Sequence, residues 1–529
     1  MPVFQAEDGP KDVYAKIKQY GADGQSSLIL KDGEPAIGKL RLVGVYDDNQ
    51  RGYFMLRIRV PGGRLDGRQA ETVGRIADLY ALRPESELSA PERFLEITTR
   101  QDIQLHWMHL DDLPNIWEQF EQVGLTTLQA CGDTARNITG CPVAGIDRSE
   151  VMDVYPLVQE ITSYALEHPE IGAFLPRKFK IAASGCLEDC ILARINDLAL
   201  VPARRDGEIG FNVWAGGGLS DYPRLASDMD IFVSPNQAIP LVKATIGVFK
   251  DFGDYHNKAV NRFRRVVEEL GPDKVRQEML DRLPFAPRSA GEDLTQAPRH
   301  DHVGIHPQRQ DGLHYVGLAV PVGRMTGREL IEASRLARVY GDGGVRLTVR
   351  QNLIVTGVPE AGLDSLLKEP LLQRLSPEPR QFERSLVACT SAPFCKFGIL
   401  NVKERGGEIA AALDQAFPDG DLGPMKIHVS GCKASCAQVQ IADIGLRASM
   451  AKDENGFYEA FDIAAGGNIA DGLLAKWIQL EVPVPKVRQG LARMFGAYQS
   501  QRSKDEKFGQ FVRRLDSVTL SSFFQEERT

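Results

Sequence analysis

No uninterrupted apolar run of membrane length occurs in the 529 residues, and the opening stretch MPVFQAEDGPKDVYAKIKQYG has no apolar core behind a basic region. Neither a spanning helix nor a secretory leader is expected, and the reading is a cytoplasmic protein without a membrane partner. Basic charge is short as well: 63 Lys and Arg stand against 71 Asp and Glu, leaving a net charge of −8. Nucleic-acid binders neutralise phosphates with a dense basic face, so DNA and RNA are not expected as partners. Cysteine is sparse, eight in all, at 131, 141, 186, 190, 389, 395, 432 and 436. That is no disulfide framework for a cytosolic chain of this size, which leaves metal ligation or plain burial. No glycine-rich nucleotide fingerprint precedes a helix and no Walker sequence appears, so flavin and NADPH have no evident seat.

What is present is ample apolar material, 43% of residues, and a length that implies several domains. The chain also repeats itself. RVPGGRLDGRQAETVGRIADLYA from Arg59 pairs with AVPVGRMTGRELIEASRLARVYG from Ala319, and ITTRQDIQL around Arg100 pairs with LTVRQNLIV around Arg350. KIAASGCLEDC, ending at Cys190, pairs with KIHVSGCKASC, ending at Cys436, with matches running on to Asp197 and Asp443; FNVWAGGG from Phe211 pairs with FDIAAGGN from Phe461. Four anchors in one order mean duplication. Each half reads strand, amphipathic helix (Arg68 to Tyr80; Arg328 to Tyr340), strand, then a larger mixed segment. This predicts an α+β fold of two units about a pseudo-twofold, with a cleft between them. Proline-rich sequence from Leu283 to Gly312 reads as a linker, and His300, His302, His306 and His314 around it read as solvated loop residues.

The cysteines carry the chemistry. Cys432 and Cys436 follow Ser430-Gly431; if they begin a helix, both sulfurs project from one face and its N-terminal N–H groups favour thiolate. Cys389 and Cys395 flank loop sequence in which Pro393 lets the chain wrap a compact object. An iron–sulfur core, a zinc ion and plain burial all fit four such residues, although neither spacing is the tight Cys-x2-Cys knuckle of structural zinc sites. In the first half nine residues rather than five separate Cys131 from Cys141, Arg136 among them, so the wrapping loop is remodelled. Cys186 and Cys190 then read as duplication remnants, a second cluster being the alternative.

Together ACTSAPFC, HVSGCKASC, LPRKFK, TTRQDIQLH and DTARNITGCPVAG resemble the sirohaem-dependent nitrite and sulfite reductase family, over roughly Gly38 to Val518. The resemblance implies an N-terminal segment (1–37), ferredoxin-like half-domains at 38–115 and 313–375, larger sirohaem/4Fe-4S domains at 116–282 and 376–529, and the linker at 283–312. It implies two cofactors, sirohaem and one 4Fe-4S cluster. Cys389, Cys395, Cys432 and Cys436 then ligate the cluster, and Cys436 is also the axial thiolate of the sirohaem iron. Arg57, Arg136, Lys178 and Lys180 are expected to hold the substrate anion and deliver protons. Arg59, Arg100, Gln104 and His106 are expected at the macrocycle's carboxylates or nearby. Strand alternation pairs Lys178 with Lys180 and turns Arg177 away. Gly216 to Gly218 and their copy Gly466-Gly467 suit close approach to a ligand or a turn equally well.

The implied activity is the six-electron reduction of sulfite to sulfide. Ferredoxin is the expected donor because no reductase domain is attached, and nitrite reduction to ammonia is the alternative. Lys180 at the second position of Lys-x-Lys favours sulfite. Thr134 stands where some members carry the cysteine of a Tyr–Cys crosslink, so that crosslink is not expected.

Overall fold

The computed structural model describes residues 3–83, 93–257, 260–296, 301–418 and 422–525; His300 lies outside them. The chain forms two compact units. One comprises Met1–Gly218, Arg224–Leu318 and Met325–Arg374, the other Leu219–Pro223, Ala319–Arg324 and Leu375–Thr529. Among the described residues no helix is long and apolar enough to cross a membrane.

In the first unit the repeated anchors become repeated structure. Asp66 caps the helix Gly67–Tyr80 by accepting from the Gln69 N–H while Gln69 reaches back, and Thr326 with Glu329 does the same for Gly327–Tyr340. These reciprocal caps satisfy N–H groups that a helix start leaves open. The two helices meet backbone to backbone: a Cβ on Gly74 would lie 2.6 Å from the Gly327 carbonyl oxygen, and one on Gly327 would lie 2.2 Å from that of Gly74. Only glycine permits this approach.

Each helix follows a short strand that joins the sheet of the other repeat. Arg64–Asp66 pairs antiparallel with Gly344–Leu347, at the edge of a sheet completed by Leu353–Pro359, Leu313–Leu318 and Gly304–Pro307. Arg324–Thr326 takes the same place beside Phe94–Ile97, Ile103–Met108, Phe54–Ile58 and Val45–Asp47. Gln101 and Gln351, both at positive φ, seal the exchange. Gln101 donates to the Leu347 carbonyl at 3.0 Å and Gln351 to that of Ile97 at 2.9 Å. The linker reading is corrected here. His306 lies on Gly304–Pro307 and His314 on Leu313–Leu318, while His302 is only 3% exposed, because the connection is recruited as an edge strand.

A third sheet of the first unit runs Thr139–Gly140, Ile181–Ala183, Leu198–Arg205, Glu208–Ala215, Ser227–Val233. Its first two pairings are parallel and its last two antiparallel. The sheet of the second unit, Leu386–Ala388, Ile427–Ser430, Ile444–Asp453, Gly456–Ala465, Lys476–Pro483, has the same order and the same pairings. Helices Val402–Ala416 and Val484–Gln501 bury Leu413, Leu491 and Phe495 in its core with Phe382, Phe508 and Phe511.

Candidate functional site

Two adjacent parallel strands of the second unit end beside each other, so their following loops leave from one edge of the sheet. Cys389 follows Leu386–Ala388 directly, and Gly431-Cys432 follows Ile427–Ser430. Gly431 must be glycine, since a Cβ there would fall 1.8 Å from Ser391 Oγ. Its N–H donates to Cys389 Sγ at 3.1 Å, the kind of contact that stabilises negative sulfur. The helix expected to begin at Cys432 is not there: residues 431–438 are turns, with Ser435 and Gln438 at positive φ, followed by a short 3-10 helix at Val439–Ile441. Turn amides rather than a helix dipole therefore surround Cys432 and Cys436.

Burial foremost pushes the Cys389 thiol well up, and Cys436, Cys432 and Cys395 each add to the effect. Cys395 is raised to about 11, again by burial first, with Cys436 and Cys432 contributing. The four thiols thus lie near enough to raise one another's cost of ionisation, although Cys436 itself is exposed, and thiolates gathered in this way favour cations among them. An iron–sulfur core supplies such cations, so this donor set fits a 4Fe-4S cluster.

The basic residues gather in the first unit. Arg57 donates to the Ala130 carbonyl at 3.3 Å and to Gln104 Oε1 at 2.9 Å. Arg136 donates to the same Ala130 carbonyl at 3.3 Å and to Gly132 at 2.7 Å. Arg59 is held by the Gln129 and Ala135 carbonyls at 2.9 and 2.7 Å, and Arg100 by Asn196 Oδ1 and the Asn137 carbonyl at 2.7 and 2.5 Å. Phe179 packs into the core against Phe249 and Phe263, so alternation turns Lys178 and Lys180 together to the other side. Arg177 is engaged elsewhere, with Asp133 at 3.0 Å.

Burial lowers Arg59, Arg100 and Arg136 each to about 10. Lys180 is pressed well below the usual lysine range, by burial and then by Arg262, Arg100 and Lys178. Among the nearby carboxylates are Asp102, raised by burial to about 6 despite Arg57, Arg59 and Arg100, Asp197, which takes Arg262 at 2.8 Å and the Lys180 N–H at 2.8 Å, and Asp133, already engaged by Arg177. Among the described residues Arg59 Nε and Nη1 and Arg100 Nε are buried without a hydrogen-bond partner. Buried cations in excess of buried anions, with orphaned N–H groups, fit a ligand carrying several carboxylates, as sirohaem does.

His106 lies inside the sheet, Nδ1 3.3 Å from Asp48 and Nε2 3.8 Å from Glu96. Burial alone would lower it, but the two carboxylates prevail and raise it to about 9. Sequence reasoning missed Arg262, which no motif marks. It noted Asp197 only as a repeat anchor. The structure explains that anchor, because Lys426 N–H donates to Asp443 as Lys180 N–H does to Asp197.

The first-half cysteines are regrouped. Cys141 follows Thr139–Gly140 as Cys389 follows its strand, so Cys141 is the counterpart of Cys389, and the position six residues on, matching Cys395, is Asp147. Pairing Cys131 with Cys141 as the counterpart of Cys389 with Cys395 is therefore corrected. Cys131 stands apart, its thiol 3.8 Å from the Gly44 carbonyl, whereas Cys141 Sγ lies 3.9 Å from both Cys186 Sγ and Cys190 Sγ.

Comparison with known proteins finds the Nitrite and sulphite reductase 4Fe-4S domain over residues 131–286 and 381–528, and the Nitrite/Sulfite reductase ferredoxin-like half domain over 46–123 and 306–372. An assimilatory ferredoxin-dependent nitrite reductase of Haloferax mediterranei is 39% identical over 519 residues, spanning 94% of this chain and 88% of that one. A ferredoxin–nitrite reductase of Synechococcus elongatus is 39% identical over 459 residues, spanning 84% and 87%. The solved structure of the Mycobacterium tuberculosis NirA protein superimposes with a TM-score of 0.89 at 28% identity, over 98% of each chain.

Proposed function

We propose that this chain, which belongs to the sirohaem-dependent nitrite and sulfite reductase family, reduces nitrite to ammonia with ferredoxin as electron donor. It is an oxidoreductase, and its cofactors are sirohaem and a 4Fe-4S cluster. The observation that carries nitrite over sulfite is the 39% identity, along 94% of the chain, to a ferredoxin-dependent nitrite reductase. The sulfite reading rested on Lys180 and gives way. Burial disfavours the charge on that lysine, so it is a weak basis for choosing one oxyanion over another.

When bound, sirohaem and cluster supply stored electrons and an iron at which the anion's nitrogen is reduced. The protein's part is holding and protonation. Cys389, Cys395, Cys432 and Cys436 would hold the cluster, and Cys436 would also help to hold the sirohaem. Arg59 and Arg100, with N–H groups still to satisfy, would bind the macrocycle's carboxylates. Gln104 would keep Arg57 in place, and His106 would brace the sheet through Asp48 and Glu96. Arg57, Arg136 and Lys178 would hold nitrite as departing oxygen becomes water, with Lys180, pressed toward its neutral form, passing protons at Nζ.

Paired steady-state assays of matured protein with reduced ferredoxin test this. Nitrite turnover is expected to exceed sulfite turnover by roughly tenfold or more, as differential binding in such sites allows; equal or faster sulfite reduction sinks the reading. Lys180→Asn, which removes the proton donor at Nζ, is expected to lower turnover of both anions and leave their ratio little changed.

A further inference from the structure

The first unit groups three of its four thiols, and their spacing is chemically specific. Cys141, Cys186 and Cys190 are buried, and among the described residues they form a group whose sulfurs all lie within 4.8 Å of one another. Cys141 Sγ is 3.9 Å from each of the other two. A disulfide needs about 2.05 Å, so these are separate thiols. Three sulfurs bound at about 2.3 Å to one tetrahedral ion stand about 3.8 Å apart, which is the spacing found here. A cubane spreads its thiolates over four irons and requires a wider set.

Room for a fourth donor lies alongside. A cavity of about 10 Å³, enough for one water, is lined by Cys190, Asp189, Asp301 and His302. His302 is buried, and its Nδ1 lies 3.3 Å from the Tyr315 hydroxyl, the outer contact that characteristically orients a ligating imidazole. The three segments that meet here, after Thr139–Gly140, after Ile181–Ala183 and before Gly304–Pro307, share no other covalent tie.

We propose that Cys141, Cys186 and Cys190 bind one structural zinc ion, with the fourth position completed from this cavity by His302 or a water. On binding, the thiols lose their protons, including the one Cys186 shares with the Glu188 carbonyl 3.0 Å away, and the ion staples the linker to the third sheet.

Elemental analysis of the full, cofactor-loaded protein tests the proposal. One zinc per chain is expected beside the iron. Cys141→Ser and Cys190→Ser should each reduce zinc at least about tenfold with iron unchanged, and cobalt exchanged into the wild type should give thiolate-to-cobalt absorption that Cys190→Ser lacks. Should both variants be insoluble, alkylation of native protein decides. Three thiols should become reactive only after a zinc chelator is added, and three that react without it overturn the site. Zinc at trace level, zinc retained in both variants, or extra iron lost with Cys141 also overturns it, the last outcome meaning a second cluster. Failure of nitrite turnover would leave the zinc count untouched, so the two readings fail separately.

Discussion

Cys141 and Cys186 leave the third sheet of the first unit at the positions where Cys389 and Cys432 leave the sheet of the second, and both sheets share strand order and pairing. The difference begins six residues later. Cys395 completes the second set, whereas Asp147 fills the matching position in the first and spends its carboxylate on the Ser149 N–H and hydroxyl, both at 2.7 Å. One substituted corner removes a cubane ligand, and the remaining three sulfurs draw to single-ion spacing. In the same repeat the remodelled loop carries Arg136, so on the proposed function one copy would hold the cluster and the other the anion. A duplicated scaffold can thus divide its chemistry while keeping its topology.

The sharpest way to break this comparison is to remove one matched sulfur from each copy. Cys432→Ser should strip most iron and reduce nitrite turnover by roughly a hundredfold or more, while Cys186→Ser should keep its iron; equal iron loss in both would erase the proposed division. Iron assay, visible spectra and turnover report the outcome.

Glycines give the next largest contrast. Gly74→Ala in the first repeat meets the Gly327 backbone and should cost about 2 to 3 kcal/mol, whereas Gly407→Ala, in the helix Val402–Ala416 with nothing within 4 Å, should gain about 0.5 to 1 kcal/mol. Denaturant titration of the two variants measures both signs.

The matched strands also predict a pH difference. His106 corresponds to Thr356, which simply donates to Asp342 at 2.8 Å. Because the folded value of His106 is raised to about 9 by Asp48 and Glu96, its stabilisation is full below the unfolded value of about 6.5 and is lost as pH rises through 9. Raising the pH from 7 to 9 should therefore remove at most about 2 kcal/mol, a slope that His106→Asn abolishes and Thr356→Val leaves in place. Smallest is Arg136→Ala, expected to raise the nitrite KM about tenfold, a loss of about 1.4 kcal/mol. An unchanged KM would remove Arg136 from the anion site.

Much of this was legible before any coordinates. The repeat, the amphipathic helices after Gly67 and Gly327 and the Lys-x-Lys alternation are local patterns, and local patterns specify local geometry. Others were not. Arg64–Asp66 joins the opposite repeat's sheet because edge pairing depends on which strand is brought alongside, and no pattern within three residues encodes that. Cys432 and Cys436 sit in turns because the loop must curl, a demand four residues of spacing do not express.

Sequence by itself determined that the chain is duplicated and that the second half carries its four cysteines as two pairs, Cys389 with Cys395 and Cys432 with Cys436. Tertiary structure alone decided that Cys141 belongs with Cys186 and Cys190 rather than with Cys131, that His302 lines their cavity, and that Asp197 is claimed by Arg262 and Lys180. The reason is physical: spacing along a chain sets what neighbours can share, whereas ligands and counter-charges drawn from distant segments meet only where the packed sheets bring them.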